Sequence, residues 1–187
     1  MARAPRYARR IVAPAAFVEE LAASRIGTTF NQYAEGPRAP LLRNRLVDYL
    51  ERHAAADLLL VGEAPGYRGA RVSGIPFTSE RQLTGSGPAE ATATVHRALA
   101  ELELEDQVLL WNVVPTHPGT DTSNRAPTHA EVAVGLRFVR ALAEGRRVVC
   151  VGRVAERALG DLSVRHPAHG GAEAFRSGFT SLTSIDV

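Results

Sequence analysis

The stretch LLLVGEAPGY, residues 58–67, decides how the rest of the chain is interpreted. Four apolar residues are followed by a glycine, a carboxylate at Glu63, a proline and a second glycine. A short apolar run that ends in such turn residues is typical of a buried β-strand. Because no polar residues alternate along the run, we expect both faces of the strand to be covered, as in a parallel sheet. Glu63 then lies where this strand leaves the sheet.

The chain on either side alternates between apolar runs and amphipathic stretches. The apolar runs predict strands at 57–62, 107–114 and 146–152. Helical spacing of apolar residues predicts helices at 14–24, 41–56, 89–104, 128–145 and 154–160. This order predicts one three-layer α/β/α domain over residues 1–187, with a central, mostly parallel four-stranded sheet. Residues 1–13 form a basic N-terminal segment, and 179–187 fit either a last strand or a tail.

Composition excludes several classes of protein. The chain is 45% hydrophobic with a net charge of +2, which is typical of a soluble globular protein, and it has no apolar run of the about 18 residues that a membrane span needs. The single Cys150 excludes a disulfide framework and a multi-cysteine metal site. The chain has no lysine, which excludes a lyase step through a lysine Schiff base. We expect a cytoplasmic monomer without metal or cofactor.

Three long polar segments follow the predicted strands: 62–83, 112–128 and 163–175. The connections at the opposite ends of the strands are short. In an open parallel sheet, ligands bind beyond the carboxyl ends of the strands. The sequence therefore predicts one functional edge, formed by these segments.

Six motifs in these segments and strands carry a family resemblance. In chain order they are GEAPG (62–66), GIPF (74–77), LLWNVV (109–114), NRAPTHAE (124–131), VVCVGRVAERALG (148–160) and HPA (166–168). Together they resemble the uracil-DNA glycosylase superfamily, and in order and spacing they are most similar to its thermophilic bacterial, GEAPG-type branch. The resemblance covers about residues 57–170.

The resemblance implies a role for particular residues of this sequence. Glu63 would stabilise the cationic sugar and orient water, Phe77 would stack on the base, and Asn112 would bind its edge. His166 would meet the oxyanion of the departing base. The remaining expected contacts are Gly66 and Tyr67 to the base, and Arg68, Arg125, Arg165 and His169 to DNA.

Each of these residues also has a purely structural interpretation. Glu63 would accept hydrogen bonds within its own turn, and Phe77 would fill the core. Asn112 would form a turn at the end of its strand, and His166 would be a surface histidine. A metal site is a further interpretation of the residues His117, Asp121, His129, His166 and His169. Their irregular spacing and the lack of a cysteine partner argue against zinc. Trp111 is expected in the core.

The chain also departs from the family pattern. It lacks the four cysteines that hold an iron–sulfur cluster in thermophilic-type members, and Ala64 stands where the GQDPYH branch has its catalytic aspartate. Gly66 replaces the tyrosine with which that branch excludes thymine, which implies a roomier pocket. His169 and Gly170 replace the bulky wedge of many relatives, for which Phe175 is a substitute.

The resemblance therefore implies a monofunctional glycosylase that excises uracil or another deaminated base from single- or double-stranded DNA. One alternative is a catalytically weak or inactive relative that binds damaged or single-stranded DNA. Another is hydrolysis of free nucleosides or nucleotides. Steep weakening of DNA binding by salt separates this last alternative from the other two.

Overall fold

The computed structural model describes residues 13–89, 93–160, 162–164 and 177. Its centre is a sheet of four parallel strands in the order β2-β1-β3-β4. The strands are β1 (Leu58–Gly62), β2 (Val108–Asn112), β3 (Arg147–Val151) and β4 (Leu162–Val164). The predicted α/β fold with a parallel sheet is confirmed.

Seven α-helices accompany the sheet within the described residues. They are α1 (Pro14–Ala23), α2 (Ala39–Arg52), α3 (Ala70–Ser73), α4 (Glu80–Thr84), α5 (Ala93–Glu101), α6 (His129–Ala143) and α7 (Arg153–Leu159). A 3₁₀ turn at Glu105–Gln107 leads into β2. None of the described helices is long and apolar enough to cross a lipid bilayer.

Two details of the predicted layout were wrong. The segment 62–83, predicted as a loop, contains the two short helices α3 and α4. The segment 163–175, also predicted as a loop, begins inside β4. Elements of three to five residues are too short to show a hydrophobic period, so only tertiary contacts fix them. Residues 1–12 and 179–187 lie outside the described part of the chain.

The helices cover the sheet through aromatic contacts. Trp111 on β2 is fully buried, and the ring of Phe17 on α1 meets it edge-on at 5.5 Å between centroids. Phe17 also meets Phe138 on α6 at 5.6 Å. The expectation that Trp111 belongs to the core is confirmed. At the outer edge of β2, the Leu110 N–H donates to the Tyr49 hydroxyl of α2 at 2.7 Å, so this helix covers an edge that would otherwise be open.

One buried arginine links the amino ends of β1 and β3. The guanidinium of Arg146 donates to the carbonyl oxygens of Ala54, Ala56 and Leu142 at 2.7–3.0 Å. These bonds tie the turn before β1 to the turn before β3. The short connections therefore lie at the amino edge of the sheet, and the long segments lie at its carboxyl edge.

Candidate functional site

The first feature of the carboxyl edge is how β1 and β2 leave the sheet together. Gly62 and Asn112 are partners in the parallel register. Beyond them, the Val113 N–H donates to the Gly62 carbonyl at 2.8 Å and the Val114 N–H donates to the Glu63 carbonyl at 3.0 Å. The two chains therefore stay paired past the last strand residues. Glu63 and Asn112 are held side by side by backbone hydrogen bonds.

Gly62 is the point at which the aromatic ring and the amide of the site meet. A Cβ built on Gly62 would collide with Cζ of Phe77 and would lie 3.0 Å from Cε2 of the same ring. The same Cβ would lie 3.0 Å from Oδ1 of Asn112. Only a residue without a side chain fits here, because the space is already taken by a ring and an amide. Three of the predicted site residues, Glu63, Phe77 and Asn112, are thus brought together around Gly62.

The position of Phe77 depends on a strained and well-supported turn. Its φ of 58° lies in the left-handed region, which bulky residues rarely adopt. The Phe77 carbonyl lies 3.1 Å from Nε2 of His96 on α5, which must donate to it. The hydroxyl of Ser73 donates to the Thr78 carbonyl at 2.6 Å. Strain of this kind persists only where surrounding contacts impose it, and it is concentrated at functional sites.

The carboxyl group of Glu63 is half-buried. Burial raises its pKa above the ordinary value of 4.5, because the ionised form loses hydration. Among the described residues, no side chain or backbone donor forms a hydrogen bond or ion pair with this carboxylate. The interpretation of Glu63 as an acceptor within its own turn therefore finds no support in the described part of the chain.

Asn112 is 4% exposed, yet its side-chain amide makes no hydrogen bond to the described residues. An amide carries one acceptor and two donors, so it matches a ligand that offers a carbonyl beside an N–H. The arrangement leaves the amide available to such a ligand, next to the ring of Phe77.

His117 contributes to the site in a way that sequence analysis missed. It is fully buried, with Nδ1 2.8 Å from the Pro65 carbonyl and Nε2 2.7 Å from the Thr120 carbonyl. The ring therefore links the GEAPG segment to the segment after β2. Both ring nitrogens face carbonyl oxygens, which leaves neither for a metal ion. Its place in a Pro- and Gly-rich segment gave no signal of these nonlocal contacts.

The segment between α1 and α2 also reaches the functional edge. Phe30 and His117 exchange backbone hydrogen bonds at 2.9 Å in both directions. The side-chain amide of Gln32 donates to the Pro115 carbonyl at 2.9 Å, and the hydroxyls of Thr29 and Thr116 lie 2.5 Å apart. Three segments therefore form the edge in the described structure, and this one was not among those predicted. Its Asn31 and Gln32 gave no usable signal in the sequence, because only the fold shows that these amides are buried and need partners.

The predicted base contacts Gly66 and Tyr67 lie at the start of the turn after Glu63. The Gly66 carbonyl accepts from the N–H of Gly69 at 3.1 Å. The Tyr67 N–H donates to Oδ1 of Asn124 at 2.9 Å, and the guanidinium of Arg68 lies over the Tyr67 ring at 5.3 Å. Arg68 is exposed. Their roles toward base and DNA stay predictions.

Arg125, a predicted DNA contact, is held by an internal ion pair. Its guanidinium donates to both carboxylate oxygens of Glu131, at 2.6 and 2.8 Å. Glu131 is 1% exposed, and the hydrogen bonds from Arg125 lower its pKa from 4.5 to about 2. The same carboxylate accepts from the N–H groups of Thr128 and Thr28. Any phosphate contact by Arg125 must use a donor that Glu131 does not occupy.

The other predicted site residues, Arg165, His166 and His169, lie outside the described part of the chain. The substitute wedge Phe175 lies outside it as well. Within residues 13–89 and 93–160, no group of three or more histidine, cysteine or acidic side chains is arranged to hold a metal ion.

The carboxyl edge of the parallel sheet thus brings together a glutamate, a buried aromatic ring and an amide that makes no hydrogen bond to the described residues. The family model of the uracil DNA glycosylase superfamily matches residues 50–182, so this chain belongs to that superfamily. Membership supports a DNA glycosylase type of function, with DNA as the macromolecule on which it acts.

A solved structure agrees with this fold. The crystal structure of wild-type Pedobacter heparinus SMUG2 matches with a TM-score of 0.67 at 14% sequence identity, over 91% of this chain and 98% of that one. At this identity the likeness concerns the fold. No curated protein sequence matches the chain.

Proposed function

We propose that this protein is a monofunctional DNA glycosylase that hydrolyses the N-glycosidic bond of uracil, or of another deaminated base, in DNA. The observation that carries the proposal is the meeting of Phe77 and Asn112 at Gly62, beside Glu63. A ring next to an amide that none of the described residues pairs suits a flat base that presents a polar edge. A glycosylase must take such a base out of the stack before it can reach the bond.

Recognition would divide between the ring and the amide. Phe77 stacks on the face of the extruded base, a contact typically worth about 1–3 kcal/mol per base. The Asn112 amide donates to the O4 carbonyl of uracil and accepts from its N3–H. The donor and the acceptor of this amide would then set which base edge is accepted.

Bond cleavage would depend on Glu63. The C1′–N1 bond breaks with its electron pair leaving on the base, and the sugar passes through an oxocarbenium-like state. The Glu63 carboxylate stabilises that positive charge and accepts a proton from the water that attacks C1′. The departing base leaves as an anion, for which the family resemblance assigns His166 as donor. The products are the free base and an abasic site.

The raised pKa of Glu63 fits this role. A general base is most effective when its pKa lies near the working pH, and burial moves the pKa of this carboxyl in that direction. The absence of a partner for Glu63 among the described residues also leaves the carboxylate free to meet sugar and water.

An excision assay tests the proposal. Labelled oligonucleotides carry uracil, hypoxanthine, xanthine or a G·T mismatch, in single and double strands, and abasic product is cleaved with alkali. We expect Glu63→Gln to lower the rate about 10²–10⁴-fold. Asn112→Ala should weaken recognition, and the exposed, distant Glu51→Gln serves as the matched control.

Two other outcomes would be informative. Salt-sensitive DNA binding without product from any substrate would reject hydrolysis and favour a relative that binds damaged DNA. Product from free deoxyuridine with no salt-sensitive DNA binding would favour a nucleoside hydrolase.

A further inference from the structure

The segment between Glu63 and Phe77 carries a second arginine that the predicted site does not include. Arg71 lies in α3, and its backbone N–H donates to the Gly66 carbonyl at 3.4 Å. Its guanidinium lies over the ring of Phe30, 4.7 Å from the centroid. Since the backbone of Phe30 is hydrogen-bonded to that of His117, Arg71 lies at the functional edge.

The guanidinium of Arg71 has no anionic partner in the described part of the chain. Its Nε is buried without a hydrogen bond, and its other nitrogens make neither an ion pair nor a hydrogen bond with the described residues. Leaving a buried donor unpaired costs about 1–3 kcal/mol. Arg125, by contrast, has both carboxylate oxygens of Glu131. Of these two arginines, Arg71 is the one whose charge is available to a ligand.

The ring of Phe30 limits which nitrogens of the Arg71 guanidinium can reach a ligand. With Nε buried and the guanidinium over the ring, the two terminal Nη groups are the donors that remain for a ligand. Two such donors match two oxygens of a phosphodiester. In the sequence 63–79 the only acid is Glu63, and the other basic residue is Arg68. The local charge therefore favours an anionic ligand.

We infer that Arg71, held on Phe30, binds a backbone phosphate of the DNA strand that carries the target nucleotide. The inference rests on the proposed function and adds a contact to it. Arg71 acts in binding and does not touch the reacting atoms. Its removal should raise KM and leave kcat close to the wild-type value.

Salt dependence of binding distinguishes a phosphate contact from a structural role. The probe is an oligonucleotide with a tetrahydrofuran abasic analogue, single-stranded or in a duplex, which offers no base to excise. Each phosphate contact adds about 0.9 to the slope of log K against log salt on duplex DNA and about 0.7 on single strands. We expect Arg71→Gln to lower the slope by that amount and to weaken duplex binding about 3.5-fold more at 50 mM than at 200 mM salt.

Two variants act as controls. Arg140→Gln removes an exposed arginine from the last turn of α6, at the other edge of the sheet, and should leave the slope unchanged. Arg71→Lys keeps the charge and should keep most of the slope, even if the glutamine variant folds poorly. Thermal unfolding of each variant reports whether the fold is intact.

The outcomes separate the inference from the proposed function. A wild-type protein that excises a base, with the same slope in Arg71→Gln as in wild type, would overturn the phosphate contact and leave the glycosylase in place. A wild-type protein with neither excision nor salt-sensitive binding would overturn both. A slope lowered in Arg71→Gln and unchanged in Arg140→Gln supports the inference.

Discussion

Replacement of Gly62 by alanine tests the geometry of the site directly. The added methyl group would collide with Cζ of Phe77 and lie 3.0 Å from Oδ1 of Asn112. Overpacking of this kind costs about 1–3 kcal/mol. The φ of Gly62 is not in the left-handed region, so alanine regains about 0.4–1 kcal/mol through the unfolded chain. We expect a net loss of about 1–2 kcal/mol in the free energy of unfolding.

The same substitution should lower activity by more than its effect on stability explains. To accept the methyl group, the Phe77 ring or the Asn112 amide must move, and a shift of about 1 Å at a catalytic site can cost about 100-fold in rate. Urea denaturation gives the stability, and kcat/KM on a uracil oligonucleotide gives the activity. Gly160→Ala is the matched control: its Cβ meets nothing within 4 Å, but its φ of 67° makes alanine costly by about 1–2 kcal/mol. That variant should lose stability and keep its activity per folded molecule.

A double-mutant cycle identifies the colliding group. In a Phe77→Ala background the ring is gone, so Gly62→Ala should cost much less than in the wild type, with a coupling of about 1–3 kcal/mol. An equal cost in both backgrounds would mean that the Phe77 ring does not contact Gly62. The arrangement of Phe77 and Asn112 around this glycine would then be wrong.

Four further predictions follow from the charged and buried groups. Glu63→Gln should lower the excision rate about 10²–10⁴-fold, yet raise the free energy of unfolding at neutral pH in urea denaturation, because burial disfavours the carboxylate; a loss of stability would show that Glu63 is a structural acceptor. In the wild type, kcat/KM should fall as pH decreases through a pKa above 4.5, because the carboxylate of Glu63 takes up a proton. The contribution of Glu63 to the free energy of unfolding has the opposite dependence and is lost as pH rises through the same pKa. Burial lowers the pKa of His96 below 6.5, so below pH 6.5 this histidine binds a proton more readily in the unfolded chain than in the folded one. The free energy of unfolding measured in urea should therefore decline below pH 6.5, and His96→Gln should remove this decline. Glu131→Gln should cost about 2–3 kcal/mol at neutral pH, and in the wild type this contribution should be lost between pH 4.5 and about 2; an unchanged urea midpoint would contradict the ion pair with Arg125.

The parts of the site that could be predicted are those set by local sequence. The exits of β1 and β2 follow from apolar runs that stop at Gly62 and Asn112, and a parallel sheet brings such exits to one edge. The place of Phe77 is different, because its ring reaches Gly62 through a turn with a positive φ that no propensity favours. A motif match named the residue, and only the folded chain explains why the neighbouring glycine is needed.

The contacts that could not be predicted join segments far apart in the chain. His117 bonds to carbonyls on two segments, and Phe30 reaches the edge from between α1 and α2. Polar contacts of this kind have no period and no fixed spacing, so composition shows only that polar groups are present. The pairing becomes visible once burial is known, since a buried polar group must have a partner.

The NRAPTHAE motif contains residues that stabilise the fold and were not distinguished in the sequence from residues that contact a ligand. Its Thr128 and Glu131 form a capping box at the start of α6, with the Glu131 N–H donating to the Thr128 hydroxyl at 3.2 Å. Arg125 completes the carboxylate's set of donors, which binds the segment after β2 to the helix. Within this motif these residues serve to position the segment that follows Asn112. Arg71 lies outside the six motifs and has no anionic partner among the described residues, so we expect Arg71 rather than Arg125 to contact DNA at this edge.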